Sequence, residues 1–456
     1  MKIKSDIFKA YDIRGVYPGD IDGSAAEAIG KAYGRFIGSG SIAVARDVRL
    51  SSGELMQHML KGLKNAGIKA MDIGIAPTPV TYFAIRHYEL DGGIVVTASH
   101  NPPEWNGFKL YRKGGEIIGM GTGMERIMEL AGHDSDMQTG GATEAPEAID
   151  KSGETIEAYK GFLLTKVHVA RRVKTVVDPG NGSYSGLAGR ILSEAGVDVH
   201  SINNVPDGRF PARSPEPKPE TLSGIMKGVV EQGADFGVAF DADGDRAIFI
   251  DEKGGAIRGD IAAALFIRNY LKAGEKAVYD VSCSDAVEEE IRRSGGIPLL
   301  TRVGRAFLLA KMMEENASIG GEISGHLYFS SVDFADDALF AALKMAELIS
   351  ISGRSLSQLV SELPRYEGSV LELDAEERYK ARIIDIARSE LEKSGMRLIT
   401  IDGVKAIADY GWFILRASNT TPKIRLIAES KTAEGLKMLL DYAKGLYVRA
   451  YARATA

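Results

Sequence analysis

The chain has 456 residues, 45% hydrophobic and 26% charged, with a formal net charge of −6 and a single cysteine. That length exceeds one hydrophobic core, so three or four domains are expected, and the charge balance argues against a nucleic-acid or anionic-membrane partner, which would want a basic face. Cys283 alone allows no internal disulfide, residues 1–6 lack the apolar core of a signal peptide, and no apolar run approaches the roughly 20 residues of a membrane span, so a cytoplasmic protein is expected.

In chain order, Lys9-Ala10-Tyr11-Asp12-Ile13-Arg14-Gly15 places an arginine on a glycine turn, where it forms either a surface ion pair or a phosphate contact. A unit that recurs three times follows. Its first copy is the strand Ser41-Ile42-Ala43-Val44-Ala45-Arg46 closed by Asp47, a serine-rich turn, an amphipathic helix to Asn65-Ala66-Gly67 and a second strand over 68–73. Later copies open at Lys174-Thr175-Val176-Val177-Asp178 and Lys276-Ala277-Val278-Tyr279-Asp280, and each has a glycine between helix and second strand. Valine-rich strands suit sheets covered on both faces, and right-handed crossovers place functional loops beyond the strand ends.

Between the first two copies, Gly93-Ile94-Val95-Val96 leads into Thr97-Ala98-Ser99-His100-Asn101-Pro102-Pro103. The paired prolines forbid helix, so Ser99 is expected to be held out on a stiff turn, suited to a nucleophile, the alternative being that Ser99 to Pro103 is merely a turn. The second copy leads to Phe240-Asp241-Ala242-Asp243-Gly244-Asp245-Arg246, where three alternating aspartates form an oxygen cage for a hard cation. A calcium EF-hand is excluded because Arg246 stands at the sixth position, which needs glycine, and a strand follows. Magnesium, with few protein ligands and a preference for phosphate, fits better. The third copy leads to Gly320-Gly321-Glu322-Ile323-Ser324-Gly325-His326, in which Glu322 and Ser324 suit sugar hydroxyls and His326 can move a proton near neutral pH, although a glycine-rich turn is the alternative. The tail changes character: strands over 369–373, 397–401, 411–417 and 423–429 and helices over 375–393 and at the end describe a mixed α+β domain. Its loop Arg416-Ala417-Ser418-Asn419-Thr420-Thr421-Pro422-Lys423-Ile424-Arg425 can surround a phosphate with hydroxyls, an amide and two guanidinium forks. Boundaries near 150, after Thr139-Gly140-Gly141-Ala142-Thr143, near 253 and near Leu363-Pro364-Arg365-Tyr366 give expected domains 1–150, 151–252, 253–366 and 367–456.

Taken together, Tyr11 to Gly15, Thr97 to Pro102, Asp241 to Arg246, Gly321 to His326 and Arg416 to Pro422 resemble, in that order, the loops of the α-D-phosphohexomutase superfamily, more closely its phosphomannomutase/phosphoglucomutase branch. The resemblance spans the whole chain. It implies an α/β fold of four domains around a central cleft: three similar mixed α/β-sandwich domains carrying the phosphoserine, metal and sugar loops, and a smaller C-terminal α+β domain carrying the phosphate loop. It implies that Ser99 is carried as phosphoserine on Mg2+ held by Asp241, Asp243 and Asp245. The phosphoryl group passes to a hexose monophosphate, giving a hexose 1,6-bisphosphate that turns over and returns the other phosphate. Arg14, Lys109 and Arg246 would stabilise the transferring group, and His326 or Lys109 would move the proton. Glu322, Ser324, His326, Arg416, Ser418, Asn419, Thr420 and Arg425 would bind substrate. The implied partners are small-molecule sugar phosphates, with no nucleic acid and no membrane, for a monomer or small homo-oligomer.

Two departures bear on the sugar. Asp280-Val281 is followed by Ser282 where the family commonly has a basic residue, and Arg302-Val303-Gly304-Arg305 stands where many relatives have a histidine after the Gly. Phosphoglucosamine mutases usually open with a different glycine turn than Phe8 to Gly15 and carry glutamine at the position of Ile323, so mannose and glucose phosphates are favoured over glucosamine phosphate. A phosphatase or a non-catalytic sugar-phosphate sensor on the same scaffold is the alternative of another class. An intact Ser99 and metal loop count against the sensor.

Overall fold

The computed structural model describes residues 3–134, 148–418 and 421–456, and the chain divides into two compact units, Met1–Gly259 with Ser324–Leu359 and Asp260–Ile323 with Val360–Ala456. The Thr139 to Thr143 stretch, expected as a linker, lies outside the described residues.

The first unit contains two mixed sheets. One runs, in spatial order, Ile13–Val16, Trp105–Arg112, Gly92–Val96, Ser41–Arg46, Lys69–Ile75 and Ile149–Asp150. Its Ser41–Arg46, Lys69–Ile75 and Gly92–Val96 strands are parallel, as crossover connections require, whereas Trp105–Arg112 runs antiparallel to both its neighbours. Alternate residues Ile42, Val44, Ile94 and Val96 pack in one core with Ile29 and Tyr33 of the Gly23–Ile37 helix and Leu55, Met59 and Leu63 of the Ser52–Asn65 helix. Asp22 caps the first of these helices by accepting from the Ala25 amide at 2.9 Å. The second sheet runs Ala256–Ile257, Ala247–Asp251, Phe236–Phe240, Lys174–Asp178 and Asp198–Ser201. Phe236–Phe240 pairs parallel with Lys174–Asp178 and antiparallel with Ala247–Asp251.

In the second unit, Ile297–Thr301, Lys276–Asp280 and Ile319–Gly321 are parallel neighbours. The C-terminal sheet, Glu367–Asp374, Lys423–Ser430, Gly411–Ala417, Val404–Ala408 and Arg397–Ile399, is antiparallel throughout. Phe413 and Leu415 face the helices Glu377–Glu392 and Ala433–Thr455, while the alternate residues Trp412 and Ile414 pack with Val281. The period-two alternation thus buries both faces of one strand.

The repeat is visible in three dimensions. Asp47, Asp178 and Asp280 end their strands, and Gly67, Gly196 and Gly295 follow the helices with φ of 78°, 91° and 72°, the left-handed conformation that closes a helix without a Cβ clash. Two strands differ from the sequence reading. Val404–Ala408 follows a strand that stops at Ile399, two residues short of the expected end, and the Trp105–Arg112 segment that follows the Ser99 loop forms an eight-residue strand. The Ser99 loop is therefore the connection of a β-hairpin.

Candidate active site

Hairpin geometry sets the Ser99 loop. The Thr97 amide donates to Gly107 O at 2.9 Å, the Asn101 amide to Ala98 O at 3.1 Å and the Trp105 amide to Pro102 O at 3.0 Å. Within this turn Ser99 takes φ 50°, a left-handed conformation that costs a non-glycine residue on the order of 1 kcal/mol. Ser99 was expected to be exposed; instead it is 1% exposed, because its hydroxyl turns inward and donates to Asp241 Oδ2 at 3.2 Å.

The aspartate loop connects the antiparallel strands Phe236–Phe240 and Ala247–Asp251 of the same unit. Gly244, with φ 76°, lets the chain reverse tightly enough for its amide to reach Asp241 Oδ1 at 3.0 Å. Asp241, Asp243 and Asp245 are all fully buried and each offers a carboxylate oxygen within 4.8 Å of the others. Burial, then the Asp245 and Asp243 charges, hold the Asp241 carboxyl well above the usual range. For Asp243, burial and the Asp245 charge act the same way but are outweighed by Lys109 and Thr78, which leave its carboxyl below the usual range. Lys109 Nζ lies 2.5 Å from both Asp243 Oδ2 and Asp245 Oδ2, and Thr78 Oγ1 donates to Asp243 Oδ2 at 2.7 Å. Lys109 reaches them because it stands opposite Val95 on the paired strand, not in a loop. Asp243 Oδ1, also buried, accepts no hydrogen bond among the described residues. Three carboxylates against one ammonium, with a buried oxygen still open, fit a hard divalent cation.

Around this centre Arg14 is buried rather than at the surface. Its Nε donates to Asp12 Oδ2 at 2.8 Å and its Nη1 to Asn101 Oδ1 at 2.5 Å and Ala98 O at 3.3 Å. Arg246 Nε donates to His326 Nε2 at 3.3 Å, and its Nη1 is 3.6 Å from Glu216. Burial opposes the Arg246 charge, but Asp241, Glu216 and Asp245 outweigh it and raise its affinity for a proton. His326 Nε2 also lies 3.4 Å from Asp245 Oδ1, and its Nδ1 lies 2.8 Å from Ser324 Oγ. Ser99, Arg14, Lys109, the three aspartates, Arg246, Ser324 and His326 thus belong to the first unit.

Glu322 falls in the second unit, two residues before Ser324 on the chain, so the Gly320 to His326 loop straddles the division. Its Oε1 accepts from the Gly304 amide at 3.0 Å. Burial, then the Glu322 charge, pushes the neighbouring Asp280 carboxyl up to about 7. In the C-terminal hairpin, Arg416 pairs directly across from Arg425. Two like charges opposite one another on one sheet face repel, and Glu372, 3.4 Å from Arg425, offsets part of that repulsion. Arg416 also lies 3.8 Å from Asp402, and Ser418 Oγ accepts from the Thr421 amide at 3.2 Å. Asn419 and Thr420 lie outside the described residues. Lys380, absent from the sequence reading, donates to Ser418 O at 2.7 Å and Thr421 O at 3.1 Å. The sequence reading also missed Thr78, Asp12 and Asp402; only their position beside a glycine or proline turn hinted at them.

Three α/β domains followed by an antiparallel domain, with the Ser99, Asp241 to Asp245, Glu322 to His326 and Arg416 to Arg425 loops in that order, define the α-D-phosphohexomutase class. Residues 5–132, 154–255 and 258–366 match phosphoglucomutase/phosphomannomutase alpha/beta/alpha domains I, II and III, and residues 364–443 match the C-terminal domain of the same family. A phosphoglucomutase/phosphomannomutase of Thermococcus kodakarensis is 36% identical over 96% of this chain and 99% of its own length. The crystal structure of a phosphoglucomutase/phosphomannomutase family protein from Burkholderia thailandensis superposes with a TM-score of 0.88 at 32% identity, covering 99% of this chain and 98% of that one. A more distant fold neighbour, Aspergillus fumigatus N-acetylphosphoglucosamine mutase in complex with GlcNAc-6P and magnesium, has a TM-score of 0.62 at 14% identity over 98% of this chain and 96% of that one. The chain belongs to the phosphoglucomutase/phosphomannomutase family of enzymes.

Proposed function

We propose that this enzyme interconverts hexose 1-phosphate and hexose 6-phosphate, of mannose and/or glucose, with Ser99 as the phosphoryl carrier and a hexose 1,6-bisphosphate as the intermediate. The observation that carries this reading is the buried Ser99 hydroxyl, 3.2 Å from Asp241 in a pocket of carboxylates and one lysine. A phosphate ester there would face Arg14, Lys109 and Arg246, three fixed cations that stabilise charge developing on the transferring group. Asp241, Asp243 and Asp245, together with the Ser99 phosphate, would hold Mg2+, whose charge offsets both the carboxylates and the phosphoryl oxygens.

The donor network suggests how the proton moves. Lys109, held between Asp243 and Asp245, would act through its charge. His326, between the Arg246 guanidinium and Ser324, would take the proton of the sugar hydroxyl and return it in the reverse step. Glu322 and Ser324 would accept from and donate to sugar hydroxyls. Arg416, Ser418, Asn419, Thr420 and Arg425 would grip the phosphate that is not being transferred. We assign the phosphoserine, metal, sugar and phosphate loops to domains 1–150, 151–252, 253–366 and 367–456, and the reaction to the cytoplasm.

The test is incubation with glucose 1-phosphate and, separately, mannose 1-phosphate, with magnesium and a trace of the corresponding 1,6-bisphosphate. The expected outcome is the 6-phosphate without free phosphate. Stoichiometric free phosphate would identify a phosphatase instead, and turnover of glucosamine phosphate alone would move the sugar assignment.

A further inference from the structure

We infer that Arg49 is a positioning residue for the Ser99 loop, holding its backbone so that the Ser99 hydroxyl stays at the Asp241 carboxylate. The inference rests on the reading of Ser99 as phosphoryl carrier. Arg49 is 1% exposed, and its five N–H donors are all engaged. Nε donates to Asp47 Oδ2 at 3.0 Å, Nη1 to Pro102 O at 2.5 Å and Trp105 O at 3.0 Å, and Nη2 to Ser99 O at 2.7 Å and Asn101 O at 2.6 Å. Four of the five acceptors are carbonyls of the one loop. A guanidinium spent in this way has no donor left for a substrate phosphate, so its effect must pass through the loop.

Asp47 completes the clamp. Its Oδ1 accepts from the Arg49 amide at 2.9 Å and Ser52 Oγ at 2.5 Å, and its Oδ2 accepts from Thr97 Oγ1 at 2.7 Å. Thr97 Oγ1 in turn accepts from the Ser99 amide at 2.8 Å. The N–H and the C=O of Ser99 therefore both lead back to the Asp47–Arg49 pair, one on each side of its left-handed φ. Holding both sides is what a serine needs to persist in a conformation that an isolated turn would leave.

The second copy of the repeat carries the same device. Asp178, the counterpart of Asp47, accepts from Arg213 Nε at 2.8 Å, and Arg213 Nη2 donates to Phe240 O at 2.6 Å, the residue before Asp241. In two of the three repeats, the strand-ending aspartate thus seats a buried arginine on the backbone of a chemistry-bearing hairpin. The two devices also meet: Phe210 packs with Ala242 of the aspartate loop, and its ring lies under Arg49 at 5.2 Å. In the third copy, Asp280 Oδ1 accepts from the Ser282 amide at 2.7 Å, as Asp178 Oδ1 does from the Gly180 amide at 2.8 Å.

The test uses the full chain with magnesium and trace glucose 1,6-bisphosphate, comparing wild type with Arg49→Ala and Arg49→Lys. Amide hydrogen exchange reads the clamp whatever the activity: residues 97–105 should exchange at least about tenfold faster in Arg49→Ala, while the Ser41–Arg46 strand is unchanged. In turnover, kcat should fall about 100-fold with KM within about twofold, because misplacing the carrier by about 1 Å affects chemistry and not the grip on substrate. Methylguanidinium should restore at least about tenfold of the lost kcat in Arg49→Ala, which a merely destabilised protein would not show. If neither Arg49 variant folds, Thr97→Val should lose about tenfold in kcat and Thr97→Ser, which keeps the hydroxyl, should not. Unchanged exchange in the loop, a loss confined to KM, or equal activity of the two Thr97 variants would overturn the clamp. A wild-type protein inactive on sugar phosphates would overturn the reading of Ser99 while leaving exchange to decide the clamp.

Discussion

Lys109→Met is the most informative single change, because one ammonium holds two buried carboxylates. Lys109 Nζ lies 2.5 Å from Asp243 Oδ2 and from Asp245 Oδ2, and all three side chains are buried. With charge centres about 4 Å apart and an effective dielectric near 20, each attraction is worth about 4 kcal/mol before desolvation is counted. Desolvation cancels part of this, but removing one partner strands the others, and such changes cost about 3–5 kcal/mol. Methionine fills the volume of the lysine stem, so the loss is electrostatic. Thermal unfolding in EDTA should therefore begin several degrees lower in the variant. Millimolar magnesium should recover more stability in Lys109→Met than in wild type, since a bound cation supplies the missing counter-charge. Turnover should fall by about 10²–10³, the usual effect of removing one fixed charge at the transferring group. An unchanged unfolding temperature in EDTA, or kcat within about threefold of wild type, would refute the reasoning.

Replacing Arg416 by Met should separate binding from stability: it relieves the repulsion from Arg425 across the hairpin but also removes the partner of Asp402, so the two effects oppose and stability should change by no more than about 1 kcal/mol. KM for the sugar phosphate should nevertheless rise at least about tenfold in steady-state kinetics, and a rise in kcat without a change in KM would contradict the assignment. Ser99→Ala should bind glucose 1-phosphate by calorimetry while losing mutase turnover, and retained turnover would exclude Ser99 as carrier. Asp337 gives a pH prediction: burial pushes its carboxyl up to about 6 although the Phe340 amide, Tyr159 and Tyr184 donate to it. A raised carboxyl favours the protonated fold, so its contribution is intact below about pH 4 and is lost as pH rises toward 6. Asp337→Asn, which keeps the helix cap, should gain on wild type by up to about 3 kcal/mol between pH 4 and 7 in urea unfolding, and a constant difference would count against a raised carboxyl.

Local chemistry was legible in the sequence where one short loop carries it. The three aspartates, the Ser99 turn and the arginine-flanked C-terminal loop could each be recognised from residue type and spacing, and the strand, Asp, loop, helix, glycine unit announced the α/β layers. Features that arise from pairing at a distance were not legible. The sequence near Lys109 does not say that its strand lies beside Val95 and delivers its ammonium to Asp243, 134 residues away. Ser99 was read as exposed because a proline-stiffened turn says where the backbone bends but not which way the hydroxyl points. The Val404–Ala408 strand was missed because its Lys405 interrupts an apolar run; that lysine is buried, 3.5 Å over the Trp412 ring. Asp47 was noticed as a strand ending, but Arg49 two residues later drew no attention, since a buried arginine bonded to five acceptors looks in sequence like any surface arginine.

The central claim is that Ser99 carries the phosphoryl group and gives it to the sugar. Enzyme labelled on Ser99 with isotopic phosphate, freed of excess label and chased with unlabelled glucose 1-phosphate in a single turnover, tests it directly. The account predicts that label leaves Ser99, confirmed by mass spectrometry of its peptide, and appears at the 6-position of glucose phosphate and bisphosphate. Label released as inorganic phosphate, or a Ser99 peptide that never carries label, would contradict it.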